Sequence, residues 1–250
     1  MRGLMQDSPL TIDTIFRHVE QHYGDVTIAT NSPVGVTRST YGEWADRTRR
    51  LGGVLDTLGV SADGRVGTFA WNSQRHLELY YGVPCTGRVL HTLNIRLFPE
   101  QLTYIANHAE DEVVFVDRSV LPLLWPLIDT MKTVRHVVVM EDGGDTEVPD
   151  DPRVLDYETL LAEASPVDFH VTDENSAASM CYTSGTTGNP KGVVYSQQTA
   201  LACAYTGAAG WLLRPVHPLV ATVLLWMAWA YTLTHQAQPH PVDGEPAQAG

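Results

Sequence analysis

Apolar residues over the first 140 positions recur at two spacings, and the two alternate. Ile12, Ile15, Phe16 and Val19 share one helical face after Ser8-Pro9, a helix start. Val26–Thr30 and Val34–Thr37 are predicted as short strands joined by the turn-forming run Asn31-Ser32-Pro33. Trp44, Thr48, Leu51, Leu55 and Leu58 predict a second helix, closed by Gly59. Beyond it the pattern gives a strand at Arg65–Trp71, a helix at Ser73–Val83 and a strand at Arg88–Leu93. Pro99–Ala109 follows as a helix with proline in its first turn. Glu112–Asp117 is a strand, Val120–Met131 a helix despite Pro122 and Pro126, and Val134–Met140 a strand of the buried type. Repeated βα alternation at these lengths predicts an α/β fold, a mainly parallel sheet flanked by helices. Trp71, Tyr80, Tyr81 and Trp125 fall at core spacings.

Residues 141–176 change character. Acidic side chains crowd among glycine and proline, with Arg153 the balancing base. EF-hand spacing is absent, so a solvated connecting loop is expected rather than a metal site. The strand pattern resumes at Ala177–Tyr182 and again at Val193-Val194-Tyr195.

Composition narrows the function classes. The chain has 250 residues, 44% of them hydrophobic, and a net charge of −13, which disfavours nucleic acid and anionic membrane surfaces as partners. Its 16 basic residues include two lysines, Lys132 and Lys191. Cys85, Cys181 and Cys203 are too scattered for a disulfide framework, and no CxxC pair suggests zinc. The first residues hold no apolar core with a cleavage site, so a cytoplasmic setting is expected.

Between the last two strands lies Thr183-Ser184-Gly185-Thr186-Thr187-Gly188-Asn189-Pro190-Lys191-Gly192. Glycines let backbone N–H groups turn inward as an anion nest, hydroxyls donate to phosphate or ligate Mg²⁺, and lysine adds a point charge. The spacing excludes a Walker A loop, because Gly188 stands three positions before Lys191. A ligand-free hairpin rich in Gly, Ser and Thr is the alternative. Cys181, in an apolar strand, is expected to be a packing residue. His76, His91 and His108 lie singly, without a triad partner, and no G-x-S-x-G elbow occurs.

The run from Tyr182 to Gly192 resembles the phosphate-binding signature of the adenylate-forming (AMP-binding) enzymes. Ser39-Thr40-Tyr41-Gly42-Glu43-Trp44 is similar to an early element of that family. His91-Thr92-Leu93-Asn94, Leu97-Phe98-Pro99-Glu100-Gln101-Leu102 and Ile105-Ala106-Asn107-His108-Ala109-Glu110 look like its fatty-acyl-CoA ligase branch. The resemblance covers residues 8–196 and implies the N-terminal part of the large adenylating domain. It also implies ATP-dependent activation of a fatty or related carboxylic acid to an acyl-adenylate, then transfer to coenzyme A. By the same resemblance Thr183, Ser184, Gly185, Thr186, Thr187 and Gly188 wrap the β- and γ-phosphates of ATP, Thr183 is the Mg²⁺-side hydroxyl, and Lys191 lies near the same phosphates. No catalytic residue is assigned.

The family's histidine after Ser196 is replaced here by Gln197. Residues 197–250 carry three charged side chains, Arg214, Asp243 and Glu245, and hold the uncharged stretch Leu219–Leu233. Fifteen uncharged positions fall short of a bilayer span, so membrane attachment is the lesser expectation and a shifted reading frame another account of this divergent tail. No lysine follows Lys191. The family's adenine, ribose and late-lysine elements are therefore expected to be absent, and the alternative function is a non-catalytic fragment of such a ligase.

Overall fold

A computed structural model describes residues 8–183 and 189–213. These divide after Leu201 into two compact units; the second holds the later part of one helix. In the first unit, α1 (Ile12–His22) precedes a two-stranded hairpin, β1 (Thr27–Ser32) and β2 (Gly35–Thr40). The strands run through Asn31 and Ser32, which pair with Val36 and Gly35, so the turn is Pro33-Val34 rather than Asn31-Ser32-Pro33. Helix α2 (Tyr41–Thr57) begins with a capping box in which Thr40 accepts from the Glu43 N–H and Glu43 accepts from the Thr40 N–H. It ends at Gly59, whose φ of +64° suits a residue without a Cβ.

Then come β3 (Arg65–Phe69), α3 (Gln74–Cys85), β4 (Val89–Thr92), α4 (Pro99–Ala109) and β5 (Asp111–Asp117). Where one long helix was expected over Val120–Met131, α5 (Leu121–Leu124) is a single turn between 3-10 turns. Pro122 and Pro126 are the reason: each lacks an N–H to donate and crowds the preceding turn. Strand β6 (His136–Met140) follows as expected. The acidic segment is not only loop, since it contains β7 (Val154–Asp156), parallel to β6, and α6 (Tyr157–Glu163), capped by Asp156. Its polar composition hid an edge strand of three residues. The chain closes with β8 (Ala177–Thr183), β9 (Lys191–Ser196) and α7 (Gln197–Leu213).

The main sheet has the order β7-β6-β5-β3-β4-β8-β9, parallel throughout except for β9. Alternate residues of each strand point to opposite faces, which shows in β5. Val113 and Phe115 pack with α2, α3 and α6, whereas Val114 and Val116 pack with α4 and α5. The order reverses between β3 and β5. This is the switch point of a doubly wound sheet, where crevices open at the carboxyl ends of strands.

Two polar groups inside these layers are unusual. Glu78 on α3 is fully buried; it accepts from Arg47 Nε at 2.6 Å, from the Tyr157 hydroxyl at 2.6 Å and from Gln74 at 2.9 Å. It thereby ties α2, α3 and α6 into one layer. Asp117 ends β5 at the switch point and accepts the Trp71 N–H at 2.7 Å, while its other oxygen is buried without a partner among the described residues. Burial, reinforced by Asp142, pushes its carboxyl up to about 7. Trp71 and Tyr80, expected in the core, stand 48% and 43% exposed.

Glu78→Ala strips the bridge and is expected to cost about 3 kcal/mol in denaturant unfolding. Asp117 titrates higher in the folded chain than in the unfolded one, so its burial costs nothing below about pH 4 and progressively more as pH rises to 7. Asp117→Asn is therefore expected to gain on wild type by on the order of 2 kcal/mol at pH 8, with the gap closing at pH 4. A pH-independent difference between the two unfolding curves would contradict this.

Candidate functional site

Parallel pairing puts the carboxyl ends of β3, β4, β5, β6 and β8 along one sheet edge. The chain leaves that edge at Thr183 and re-enters at Lys191, and the two residues are direct partners in the antiparallel β8–β9 ladder. Among the predicted phosphate ligands, Thr183 and Lys191 thus flank one hairpin mouth, both exposed. Ser184, Gly185, Thr186, Thr187 and Gly188 lie outside the described residues.

Lys191 is one of four described cations, with Arg38, Arg96 and Lys132, that stand outside the ion pairs. Most described arginines hold a carboxylate: Arg47 binds Glu78 and Glu158 at 2.6 and 2.7 Å, and Arg153 binds Asp129 and Asp151 at 2.9 Å. Lys191 has no ion pair among the described residues. An ammonium left without a carboxylate, across from a hydroxyl at the mouth of a glycine-rich loop, suits a polyphosphate and its metal. The residues present therefore fit the implied ligand.

The hairpin is fixed to the sheet by side chains that the sequence did not single out. Tyr182 packs its ring 5.3 Å from that of His91, and its hydroxyl shares a 2.6 Å hydrogen bond with Nδ1 of His108 on α4. His91 is fully buried, with Nδ1 2.8 Å from both carboxylate oxygens of Asp111. Burial pushes the Asp111 carboxyl up and His91 draws it back. In the sequence these histidines stand singly; here each has a partner, and 74 residues separate His108 from Tyr182, so nothing local announces that bond. Cys181 is partly buried in β8, its Sγ 3.8 Å from the Tyr195 hydroxyl.

Gln197 is a second anchor. It stands where the family commonly has histidine, and it is fully buried. Its carbonyl accepts the Ile12 N–H at 3.1 Å, and its amide donates to the Pro84 carbonyl at 2.9 Å. One side chain thus joins α1, α3 and the start of α7.

The doubly wound sheet thus carries the hydroxyl- and glycine-rich run and its exposed lysine on one hairpin at the carboxyl edge. The comparisons make the class specific. The model of the AMP-binding enzyme family matches residues 15–238, past the point where the motif-by-motif resemblance ends. The chain belongs to that family. It is 44% identical over 204 residues to the 3-methylmercaptopropionyl-CoA ligase of Ruegeria lacuscaerulensis, covering 80% of this chain and 38% of that protein. To the medium-chain-fatty-acid–CoA ligase of Ectopseudomonas oleovorans it is 39% identical, covering 83% and 38%. In fold it resembles an anthranilate CoA ligase solved with anthranoyl-AMP, with a TM-score of 0.69 at 22% identity over 81% of this chain and 39% of that one. The chain thus spans about 38% of the length of the curated relatives it matches, and its mainly parallel sheet with flanking helices is the N-terminal portion of the adenylate-forming domain. Among the described residues no helix is long and apolar enough to cross a membrane; Leu219–Leu233 lies outside them.

Gln197→Ala leaves a buried N–H and a buried carbonyl unpaired and is expected to cost about 1–3 kcal/mol in unfolding. A cost under about 0.5 kcal/mol would show that the amide does not hold these elements together.

Proposed function

We propose that this chain supplies the polyphosphate-binding part of an ATP-dependent acid–CoA ligase acting on a fatty or related carboxylic acid. The observation that carries the reading is the Thr183–Lys191 pair, which places a hydroxyl residue and a lysine with no ion pair among the described residues across one hairpin mouth at the carboxyl edge of the sheet. Thr183, Ser184, Gly185, Thr186, Thr187 and Gly188 wrap the β- and γ-phosphates, Thr183 is the hydroxyl on the Mg²⁺ side, and Lys191 neutralises phosphate charge. When bound, the metal supplies further charge neutralisation. Such a site does its work by positioning and electrostatics rather than with a protein nucleophile. Residues 8–196 form the N-terminal part of the adenylating domain, and 197–250 its divergent continuation.

The names of the relatives support coenzyme A as the acceptor and carboxylic acids, from a methylmercaptopropionyl group to medium- and long-chain fatty acids, as substrates. The net charge of −13 disfavours nucleic acid as a partner and an anionic membrane surface as a location, and we place the protein in the cytoplasm.

Lys191→Ala is expected to weaken MgATP binding about 10-fold or more in a calorimetric titration of the intact chain, because a charge-assisted contact is lost. The lysine is exposed and unpaired among described residues, so the unfolding midpoint should stay put. Equal affinities would remove Lys191 as a phosphate ligand.

A further inference from the structure

The loop's two legs meet the rest of the protein at one side chain. Tyr182 is the residue before Thr183 on β8, and its register partner on β9 is Gly192, the residue after Lys191. Its ring lies across that pair. A Cβ at Gly192 would sit 3.2 Å from Tyr182 Cζ and 3.3 Å from its hydroxyl, tighter than ordinary contact, so glycine here makes room for the ring. Beyond Gly192 the ring reaches His108, which meets its hydroxyl at 2.6 Å from the last turn of α4. The His91 ring lies 5.3 Å away, backed by the buried Asp111.

These contacts matter because the backbone attachment is thin. Strand β8 pairs with β4 at Leu90–Ser179 and His91–Met180, and the described pairing goes no further toward the loop. Of the last residues before the mouth, Tyr182 is the one whose side chain makes contacts on that side. Burial and the nearby Asp111 charge push the Tyr182 hydroxyl well above the usual phenol range, so it stays a neutral phenol in its hydrogen bond with His108.

We propose that Tyr182 is the positioning residue of the phosphate loop: bonded to His108 and seated under Gly192, it sets where Thr183 and Lys191 stand relative to the sheet edge. It touches no phosphate and acts through its neighbours. The assignment rests on the reading of Thr183–Lys191 as a polyphosphate site.

The test compares wild type, Tyr182→Phe, His108→Ala, His108→Gln, the Tyr182→Phe/His108→Ala double variant and Lys191→Ala. MgATP affinity is measured by calorimetry on the intact chain, below the unfolding transition of every variant. Tyr182→Phe keeps the packing and loses one hydrogen bond, so about a five-fold loss of affinity is expected. His108→Ala should lose as much, and the double variant no more than either single one, since both remove the same bond. His108→Gln, which can still pair with the phenol, should recover most of the affinity, a rescue that a purely structural role would not produce. Amide exchange over 177–183 and 191–196 should quicken in Tyr182→Phe while that of α2 stays unchanged. If Lys191→Ala weakens binding and Tyr182→Phe does not, the positioning role is overturned and the site reading stands. If wild type binds no MgATP, or Lys191→Ala binds as wild type does, the site reading falls and takes the role of Tyr182 with it.

Discussion

Everything proposed for this protein depends on how one antiparallel hairpin is attached to a parallel sheet. A parallel strand can join such a sheet only after a crossover, and β8 arrives from Glu163 through a long polar connection before pairing with β4. The attachment is brief in backbone terms, so its precision comes from bulky and polar side chains: the Tyr182 ring, the His91–Asp111 pair behind it and the Gln197 amide. The layers beneath are, by contrast, redundantly held. Valines of β5 and β6 are fully buried on both faces, and the Arg47–Glu78–Tyr157 bridge crosses three helices. The junction of hairpin and slab therefore rests on those few side chains.

The electrostatic design follows the same division. Arginines do the internal tying, as a planar donor fork suits them to, and they bridge helices to loops across the outer layers. Asp117 at the switch point is an exception to the rule that buried carboxylates are paired. Its second oxygen has no partner among the described residues, and its raised proton affinity is the physical answer to that isolation.

Much of the fold was legible because its signals are local. Ser73 caps α3, Pro99 opens α4 and Gly59 closes α2, each by a backbone requirement that a short window contains. The errors are equally physical. Pro122 and Pro126 broke a helix that apolar spacing favoured, and β7 escaped notice because three residues at a sheet edge need no hydrophobic alternation. At the site, Thr183 and Lys191 were legible as a motif. Their anchors were not, since His108 meets Tyr182, and Gln197 meets Pro84, only through topology. Gln197 is instructive: the sequence marked it as a departure from the family pattern, and the structure shows an amide suited to pairing a donor and an acceptor at once.

The scarcity of lysine has a practical side. Lys132 and Lys191 are the chain's two side-chain amines, both are exposed, and they sit on different elements, Lys132 in the turn after α5 and Lys191 at the head of β9. Reagents that acylate or alkylate primary amines therefore meet, besides the terminal amine, one side-chain target at the hairpin mouth and one well away from it in sequence. A fluorophore or crosslinker delivered that way, with Lys132 as internal reference, gives the mouth its own chemical address without engineering a cysteine.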